Sequence, residues 1–404
     1  MLECRNLRHS TSPNGSPTVS SPRAHPYNPR LCALVAFGTR PEVIKLAPVL
    51  AELGRSAAFR PVVVSSGQHT DLLAPFVAGF GVRIDHELRV MEPGQQLNRL
   101  FARVLTEMDG VLAAERPDVV VVQGDTTTAT AAALAAFQRH VPVAHVEAGL
   151  RTDDPGSPFP EEMNRRLVSR LARWHFAATP RHADNLLAEG IPPSAVHVTG
   201  NPVVDALHAI RDRRERSPRL AALLAATAGL KRVTVTTHRR ESFGERMGAN
   251  LRALRSFVTR HPDTAVIFPM HPNPAVRAAA AILGGVDRVW LTDPLDYPDF
   301  IGLLAESWVI ASDSGGVQEE APSLGVPLLI LRENTERPEV LDTGLAKLCP
   351  TAEHLAMLLD EMHRTDASAK PTDNPFGDGR AAGRIVAALS AAFAPRPQPA
   401  EVAA

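Results

Sequence analysis

The chain has 404 residues, 44% hydrophobic and 22% charged, which is the usage of an ordinary globular protein. At roughly 150 residues per domain, that length predicts two domains with room for a third. Lys and Arg number 43 against 44 Asp and Glu, a net charge of −1 that excludes bulk binding to nucleic acid or an anionic membrane but leaves room for a local basic pocket.

The first thirty residues hold five Pro, five Ser and four Arg against a single acid, Glu3, so the remaining body carries a charge near −4. Such a segment cannot bury enough apolar surface to order itself, and residues 1–30 are expected to be a disordered tail. It lacks an apolar h-region, so it does not read as a secretory signal. No run of 18 apolar residues occurs, and no membrane-spanning helix is expected. Cys4, Cys32 and Cys349 are far apart and form no ligand cluster, which supports neither a disulfide framework nor a zinc site. The expectation is a cytoplasmic protein with a large core.

Leu31–Phe37 is a continuous apolar run and predicts a strand buried on both faces. Arg60–Ser65, Asp118–Gln123 and Val141–Val146 repeat the signature. Over Gln95–Glu115, Leu97, Leu100, Phe101, Val104, Leu105, Met108, Val111 and Leu112 fall on one stripe of a helix. Gly200-Asn201-Pro202 then punctuates the chain. A second series follows in Arg232–Thr237, Thr264–Met270, Arg288–Leu291, Trp308–Ser312 and Pro327–Leu331. Ala381–Phe393 predicts a last helix, and 394–404 a frayed tail. Strands alternating with helices predict an α/β protein of two Rossmann-like, doubly wound parallel-sheet domains, 31–200 and 201–375, facing each other across a cleft.

In such sheets ligands bind at the carboxyl ends of the strands. The predicted strands end in Arg40, in Gly124-Asp125, in Glu147, in His238 and in Asp313-Ser314-Gly315-Gly316. Helix capping alone explains Asp125 and Asp313, but it does not explain Arg40, Glu147 and His238 landing at strand ends as well. Gly315 and Gly316 would let backbone N–H groups approach an anion at a helix start. Neither GxGxxG nor GxxxxGK[ST] occurs, which disfavours a dinucleotide or a P-loop triphosphate. Glu320, one to two turns further on, could accept both hydroxyls of a ribose whose diphosphate sits on that helix start. Arg40, Lys45 and Arg337 could complete the phosphate pocket. For acid/base work the candidates are Asp125, Glu147, Glu161 and His238, with Glu161-Glu162 opening a helix after the loop at 154–160.

The motifs GTRPE (38–42), QGDTTT (123–128), HVEAGLRT (145–152), SPFPEEMNR (157–165), THRRESFG (237–244), SDSGGVQEEAPSLG (312–325), RENTERPE (332–339) and NPFGDG (374–379) together resemble the non-hydrolysing UDP-N-acetylglucosamine 2-epimerases. The resemblance runs from about Leu31 to about Phe393. It implies the GT-B fold, a UDP-binding second domain, and a terminal helix over 376–393 returning to the first domain. It implies interconversion of UDP-GlcNAc and UDP-ManNAc, through elimination of UDP to 2-acetamidoglucal and re-addition. By motif position, Asp125, Glu147 and Glu161 match the family's acid/base carboxylates and His238 its cleft histidine. Arg40, Ser314, Gly316, Glu320 and Arg337 match its UDP contacts. The resemblance implies no cofactor and suggests a homodimer.

Gln68, Gln95 and His271 match a second UDP-GlcNAc site that activates some members. Against that match, Glu92-Pro93-Gly94-Gln95 offers no arginine there and Asp71 replaces a glutamine. Two further departures are the loop at 153–156, which lacks the aromatic often found before SPFPEE, and HPNP in place of HLNP at His271. The rivals are a hydrolysing epimerase, a GT-B glycosyltransferase and a nucleotide-sugar-binding regulator. The hydrolysing branch usually carries an RAD-type triplet where this chain has Arg40-Pro41-Glu42, and a regulator has no need of three carboxylates and His238.

Overall fold

Seven unbroken apolar positions form β1 (Leu31–Phe37), buried along its length beyond Leu31. It pairs in parallel with β2 (Phe59–Ser65) on one side and β4 (Val119–Gln123) on the other. With β3 (His86–Glu87), β5 (Val143–Ala148), β6 (Trp174–Ala177) and β7 (Val196–Val198) these make a parallel sheet of order β3-β2-β1-β4-β5-β6-β7. A second parallel sheet contains β8 (Lys231–Thr236), β9 (Thr264–Pro269), β10 (Val289–Thr292), β11 (Val309–Ser312), β12 (Leu328–Ile330) and β13 (Ala346–Leu348), in order β10-β9-β8-β11-β12-β13. Each sheet reverses its winding beside its first strand, between β1 and β4 and between β8 and β11. Those two switch points open the crevices where ligands bind such sheets. The computed structural model describes residues 30–67, 70–92, 94–152, 154–213, 216–239, 242–365 and 373–394. The two expected tails and Gln68 lie outside the described residues, save Arg30 and Ala394.

Helices of the first half are α1 (Arg40–Arg55), α2 (Thr70–Gly79), α3 (Leu97–Glu115), α4 (Thr127–Gln138), α5 (Glu161–Leu171), α6 (Pro180–Ala188) and α7 (Pro202–Arg213). Those of the second are α8 (Pro218–Ala226), α9 (Glu245–Arg260), α10 (Pro274–Ala280), α11 (Tyr297–Ala305), α12 (Gly315–Leu324), α13 (Glu339–Asp342), α14 (Ala352–Thr365) and α15 (Ala381–Phe393). None of the described helices is long and apolar enough to cross a membrane. On α3 the predicted stripe buries Leu100, Val104, Met108, Val111 and Leu112, while Leu97 at its start stays exposed.

The two sheets share one apolar core. Val203, Val204 and Leu207 of α7 pack in the same cluster as Phe37 and Leu46 of the first half and Tyr297, Ile301 and Val317 of the second. Helix α15 joins it through Ile385, Val386 and Leu389 and packs on α1 and α7. Its Phe393 meets Phe59 edge-on at 6.1 Å and Trp174 at 5.5 Å, so the end of α15 rests on the first sheet. Asp205 on α7 accepts from the amides of Ala381 and Ala382 and so caps α15.

Sequence and structure differ at one functional strand. The strand expected over Val141–Val146 runs Val143–Ala148, with Glu147 inside it rather than after it. Pairing with β6 shifts register between Val146 and Ala148, and Glu147 has φ +60°. That bulge re-aims the Glu147 side chain, a device common beside active sites. The strands β3, β6, β7 and β13 escaped the apolar-run criterion because His86 and Glu87, His175, His197 and Lys347 interrupt runs of only two to four residues.

Candidate active site

Asp125 lies at the carboxyl end of β4, and α5 supplies its surroundings. Glu161, Asn164 and Arg165 stand at i, i+3 and i+4, so they share one helix face. Asn164 Nδ2 donates to the Asp125 carbonyl at 2.9 Å, and Arg165 sends Nε, at 3.1 Å, and Nη2 to Asp125 Oδ2. Arg165 is anchored behind by the fully buried Glu162, whose Oε2 accepts from Nη1 at 3.2 Å. Glu161 is different: among the described residues its buried Oε2 has no hydrogen-bond partner. Burial, with the Asp125 charge beside it, pushes the Glu161 carboxyl above its usual range.

The β1–α1 turn is tied to the same place. Glu42 Oε2 accepts from the Gly38 amide at 3.0 Å and from the Thr39 amide and hydroxyl at 2.8 Å each. Its Oε1 accepts from Thr126 Oγ1 at 2.8 Å. A capping-box glutamate thus fastens the loop bearing Arg40 to the loop bearing Asp125. Burial pushes the Glu42 carboxyl up to about 7, against the opposing pull of those donors. Arg40 lies over the Phe76 ring, 5.4 Å from its centroid.

Beneath these loops a buried ionic network joins the two halves. Lys45 Nζ reaches Glu147 Oε2 at 2.5 Å and Glu319 Oε2 at 3.1 Å. Arg337 Nε meets Glu319 Oε1 at 2.6 Å, with Glu147 Oε1 at 3.7 Å and Glu336 Oε2 at 2.9 Å from its other nitrogens. Gln123 also donates to Glu147. Burial disfavours the Lys45 charge, but Glu147 and Glu319 outweigh it and hold the ammonium above its usual range. Glu336 is held down at about 2, because Arg337, Arg239 and Arg332 together overcome the effect of burial.

The second half contributes the opposite wall. Asp313, fully buried after β11, accepts from the amides of His238 and Arg239 at 3.1 Å and from Thr237 Oγ1 at 2.7 Å. His238 Nδ1 stands 3.5 Å from Asp313 Oδ1, and its ring stacks on His271 at 5.7 Å. Burial, with the charges of Arg40 and Arg239 and the His271 ring, holds His238 below its usual range despite Asp313. Helix α12 opens at Gly315, and its N-cap Ser314 makes no side-chain capping bond. A side chain at Gly315 would meet Arg337 Nη1 at 2.7 Å, whereas one at Gly316 would meet only Ser314 Oγ at 3.8 Å. The first glycine admits the arginine, and a side chain at the second would meet nothing closer than Ser314 Oγ. Glu320 accepts from Tyr297 Oη at 2.7 Å, and burial pushes its carboxyl up to about 7.

The structure therefore brings Asp125 and Glu161 together on one wall and His238, His271, Ser314 and Gly316 on the other. Arg40 is close enough in charge to act on both His238 and Glu320. Lys45, Glu147 and Arg337 lie in the ionic layer, with their charged atoms engaged by one another, by Gln123, by Glu319 and by Glu336. Gln95 turns its Oε1 back to the Glu92 amide at 2.9 Å. Sequence reading missed Arg165, Asn164, Glu42, Glu319 and Tyr297. The spacings Thr39/Glu42 and Glu161/Arg165 were readable signals, whereas nothing near Tyr297 announces it. Among the described residues no group of three or more His, Cys, Asp and Glu is arranged to hold a metal ion. A separate cavity of about 660 Å³ lies where the halves join, lined by Thr199, His208, Ser323, Asn374 and Arg384, none of them a predicted site residue.

Residues 51–390 match the model of the UDP-N-acetylglucosamine 2-epimerase family. The chain is 43% identical over 367 residues to the UDP-N-acetylglucosamine 2-epimerase of Escherichia coli K12, covering 88% of this chain and 97% of that one. Its fold superposes on the Neisseria meningitidis UDP-GlcNAc 2-epimerase bound to UDP-GlcNAc with a TM-score of 0.85 at 38% identity, over 89% of this chain and 100% of that one. The S. aureus MnaA–UDP structure gives 0.84 at 39% identity, over 90% and 97%. Two parallel-sheet domains in the GT-B arrangement, eight ordered motifs and this extent of identity place the chain in the UDP-N-acetylglucosamine 2-epimerase family.

Proposed function

We propose that this epimerase interconverts UDP-GlcNAc and UDP-ManNAc by eliminating UDP and adding it back. The observation that carries the reading is the opposition of Asp125 and Glu161, with Arg40 on the turn fastened beside them, to His238 and the start of α12. The C2–H bond of an N-acetylhexosamine is not acidic, so departure of UDP must lead. The C1–O bond breaks with its electron pair going to the diphosphate, where Arg40, His238 and the α12 amides stabilise the charge. A carboxylate removes the C2 proton, and C1=C2 forms, giving 2-acetamidoglucal. Re-addition returns a proton to the other face of C2 and the diphosphate oxygen to C1. No hydride moves.

Two carboxyl groups with separated proton affinities suit this exchange. Asp125, clamped by Arg165, is assigned the role of base, and Glu161, whose buried carboxyl is pushed above its usual range, that of acid. Glu320 is assigned the ribose hydroxyls, and Ser314, Gly315 and Gly316 the diphosphate. Glu147 enters as the counter-charge that fixes Lys45 and Arg337 beneath that site, since Lys45 and Gln123 already address its carboxylate. Of the expected second site, His271 is the residue stacked on His238, and a second UDP-GlcNAc is proposed to act through it; hyperbolic initial rates would remove that part of the reading.

The test is incubation with UDP-GlcNAc in deuterated water, followed by NMR. Deuterium at C2 with UDP still attached is the expected result. Free N-acetylmannosamine released at the rate of UDP would favour a hydrolysing enzyme instead, and an obligatory acceptor a glycosyltransferase.

A further inference from the structure

We infer that Arg165 is a positioning residue that holds the two carboxyl groups of the cleft in unlike settings, clamping the Asp125 carboxylate through Oδ2 and keeping its guanidinium away from Glu161. The inference rests on the epimerase reading above and concerns how one site keeps two acids apart in function.

The geometry is asymmetric in a way that neither carboxyl group creates alone. Arg165 places two nitrogens, Nε at 3.1 Å and Nη2, on the single oxygen Oδ2 of Asp125. Charge-assisted bonds of that kind favour the ionised acceptor and fix its orientation. Both nitrogens bond Oδ2, so the guanidinium does not engage Oδ1. Arg165 cannot swing to Glu161 without losing its rear anchor. Nη1 is held by Glu162 Oε2, and Glu162 is itself held by Arg166 Nε at 2.7 Å and the Thr152 amide at 3.0 Å. Asn164, one residue earlier on α5, fixes the Asp125 backbone at 2.9 Å. Asp125 therefore has both its main chain and its carboxylate clamped by the helix that presents Glu161.

Other charged groups facing this pair do not reproduce the bias. From α1, Glu42 reaches the Asp125 loop only through Thr126. From the second half, Arg239 acts on Glu161 but is drawn to Glu336 at 3.4 Å. Glu336 also faces Arg165. Arg165 is thus the cation in contact with Asp125, while Glu161 keeps a buried oxygen without a partner among the described residues. An arginine serving only to brace α5 would need the Glu162 contact but not a fork on a cleft carboxylate.

The experiment compares the wild-type enzyme with Arg165→Met and Arg165→Lys, measuring kcat and KM from pH 5 to 9 and UDP affinity at pH 7. Wild-type enzyme that fails to place deuterium at C2 would sink the epimerase reading itself, and these variants are informative only once it succeeds. The expected result for Arg165→Met is a kcat loss on the order of 100-fold, a KM and UDP Kd within about threefold of wild type, and an acid limb of kcat/KM displaced upward by about one pH unit or more. Arg165→Lys, which keeps the charge but not the fork, should regain most of the rate with a smaller displacement. A pH profile superimposable on wild type in both variants, whatever the rate, would overturn the inference, as would a raised KM with kcat unchanged. Should Arg165→Met not fold, judged by circular dichroism, Arg165→Lys decides alone: an unmoved acid limb overturns the inference and an upward shift supports it.

Discussion

Replacing Lys45 by methionine separates two accounts of the buried ionic layer. In one, Lys45 is a phosphate ligand; in the other, it is the charge that balances Glu147 and Glu319. The contacts allow the second to be worked through. Lys45 and Arg337 face Glu147 and Glu319, two cations against two anions, and Lys45 and both glutamates are almost entirely buried. At 2.5 Å the Lys45–Glu147 attraction is on the order of 6–7 kcal/mol before desolvation at an effective dielectric of 20. Much of that is offset by taking both ions out of water, but removing one partner strands the other, at a cost of about 3–5 kcal/mol. Lys45→Met leaves one cation against two anions, and Glu147→Gln leaves two against one. The double variant restores one against one.

Each single variant should therefore lower stability by about 3–5 kcal/mol, a fall in Tm on the order of 4–7 °C for a chain of this size. The double variant should lie within about 2 kcal/mol of wild type, so the cycle should be far from additive. Thermal and urea unfolding measure the three differences, and titration with UDP separates affinity from stability. Lys45→Met melting within about 2 °C of wild type, while its UDP Kd rises more than tenfold, would refute the balance argument and return Lys45 to the phosphate.

Gly315→Ala places a methyl 2.7 Å from Arg337 Nη1 and 3.0 Å from its Cζ. It should cost about 1–3 kcal/mol in unfolding experiments and weaken UDP binding, because the displaced guanidinium disturbs the start of α12. Glu42 should make the unliganded protein less stable as pH rises. Its folded-state pKa is about 7, above the ordinary glutamate value, so the native state binds the extra proton between about 4.5 and 7. The stability of wild type relative to Glu42→Gln is therefore fullest below that window and declines through it. His145 and His182, both depressed to about 3 by burial, pull the opposite way, but they are common to both proteins and cancel in the comparison. Equal Tm–pH curves for the two proteins would show that Glu42 does not titrate in that range.

Most of the architecture was legible because burial leaves a direct mark on composition. β1 needed no inference beyond its seven apolar residues, and α15 was readable from end to end. Short strands such as β6 (Trp174–Ala177) were not, since His175 interrupts the run; in the fold it is buried and bonded to the Ser169 and Ala195 carbonyls. The strand-end rule placed Asp125 and His238 at the carboxyl edges of their sheets. It misjudged the path at Glu147, because a bulge is set by pairing with β6 and leaves no signature in Val-Ala-His-Val-Glu-Ala. The expectation that Lys45 and Arg337 complete a phosphate pocket had no means to see Glu319 of α12, which pairs with both beneath the cleft. Ion pairs between residues about three hundred positions apart are decided by how two domains meet, and pattern along one chain does not encode that.

The ionic layer and the cleft then fall into one physical scheme. The first half carries Asp125 and Glu161, to which the proposed reaction assigns the C2 proton, while the second carries His238 and the start of α12, to which it assigns the charge leaving C1. In the proposed reaction C–O cleavage runs ahead of proton removal, so the two halves must be in register at the moment charge develops. Lys45, Glu147, Glu319 and Arg337 span the halves directly below, and misalignment by an ångström or two would expose unpaired charge in a buried site. The same four groups that cost the most when singly removed therefore also fix the distance between proton donor and leaving-group pocket. That predicts a shared sensitivity: among variants of these four residues, loss of kcat should rise with loss of stability, whereas among variants of Asp125 and Glu161 the two should be uncorrelated.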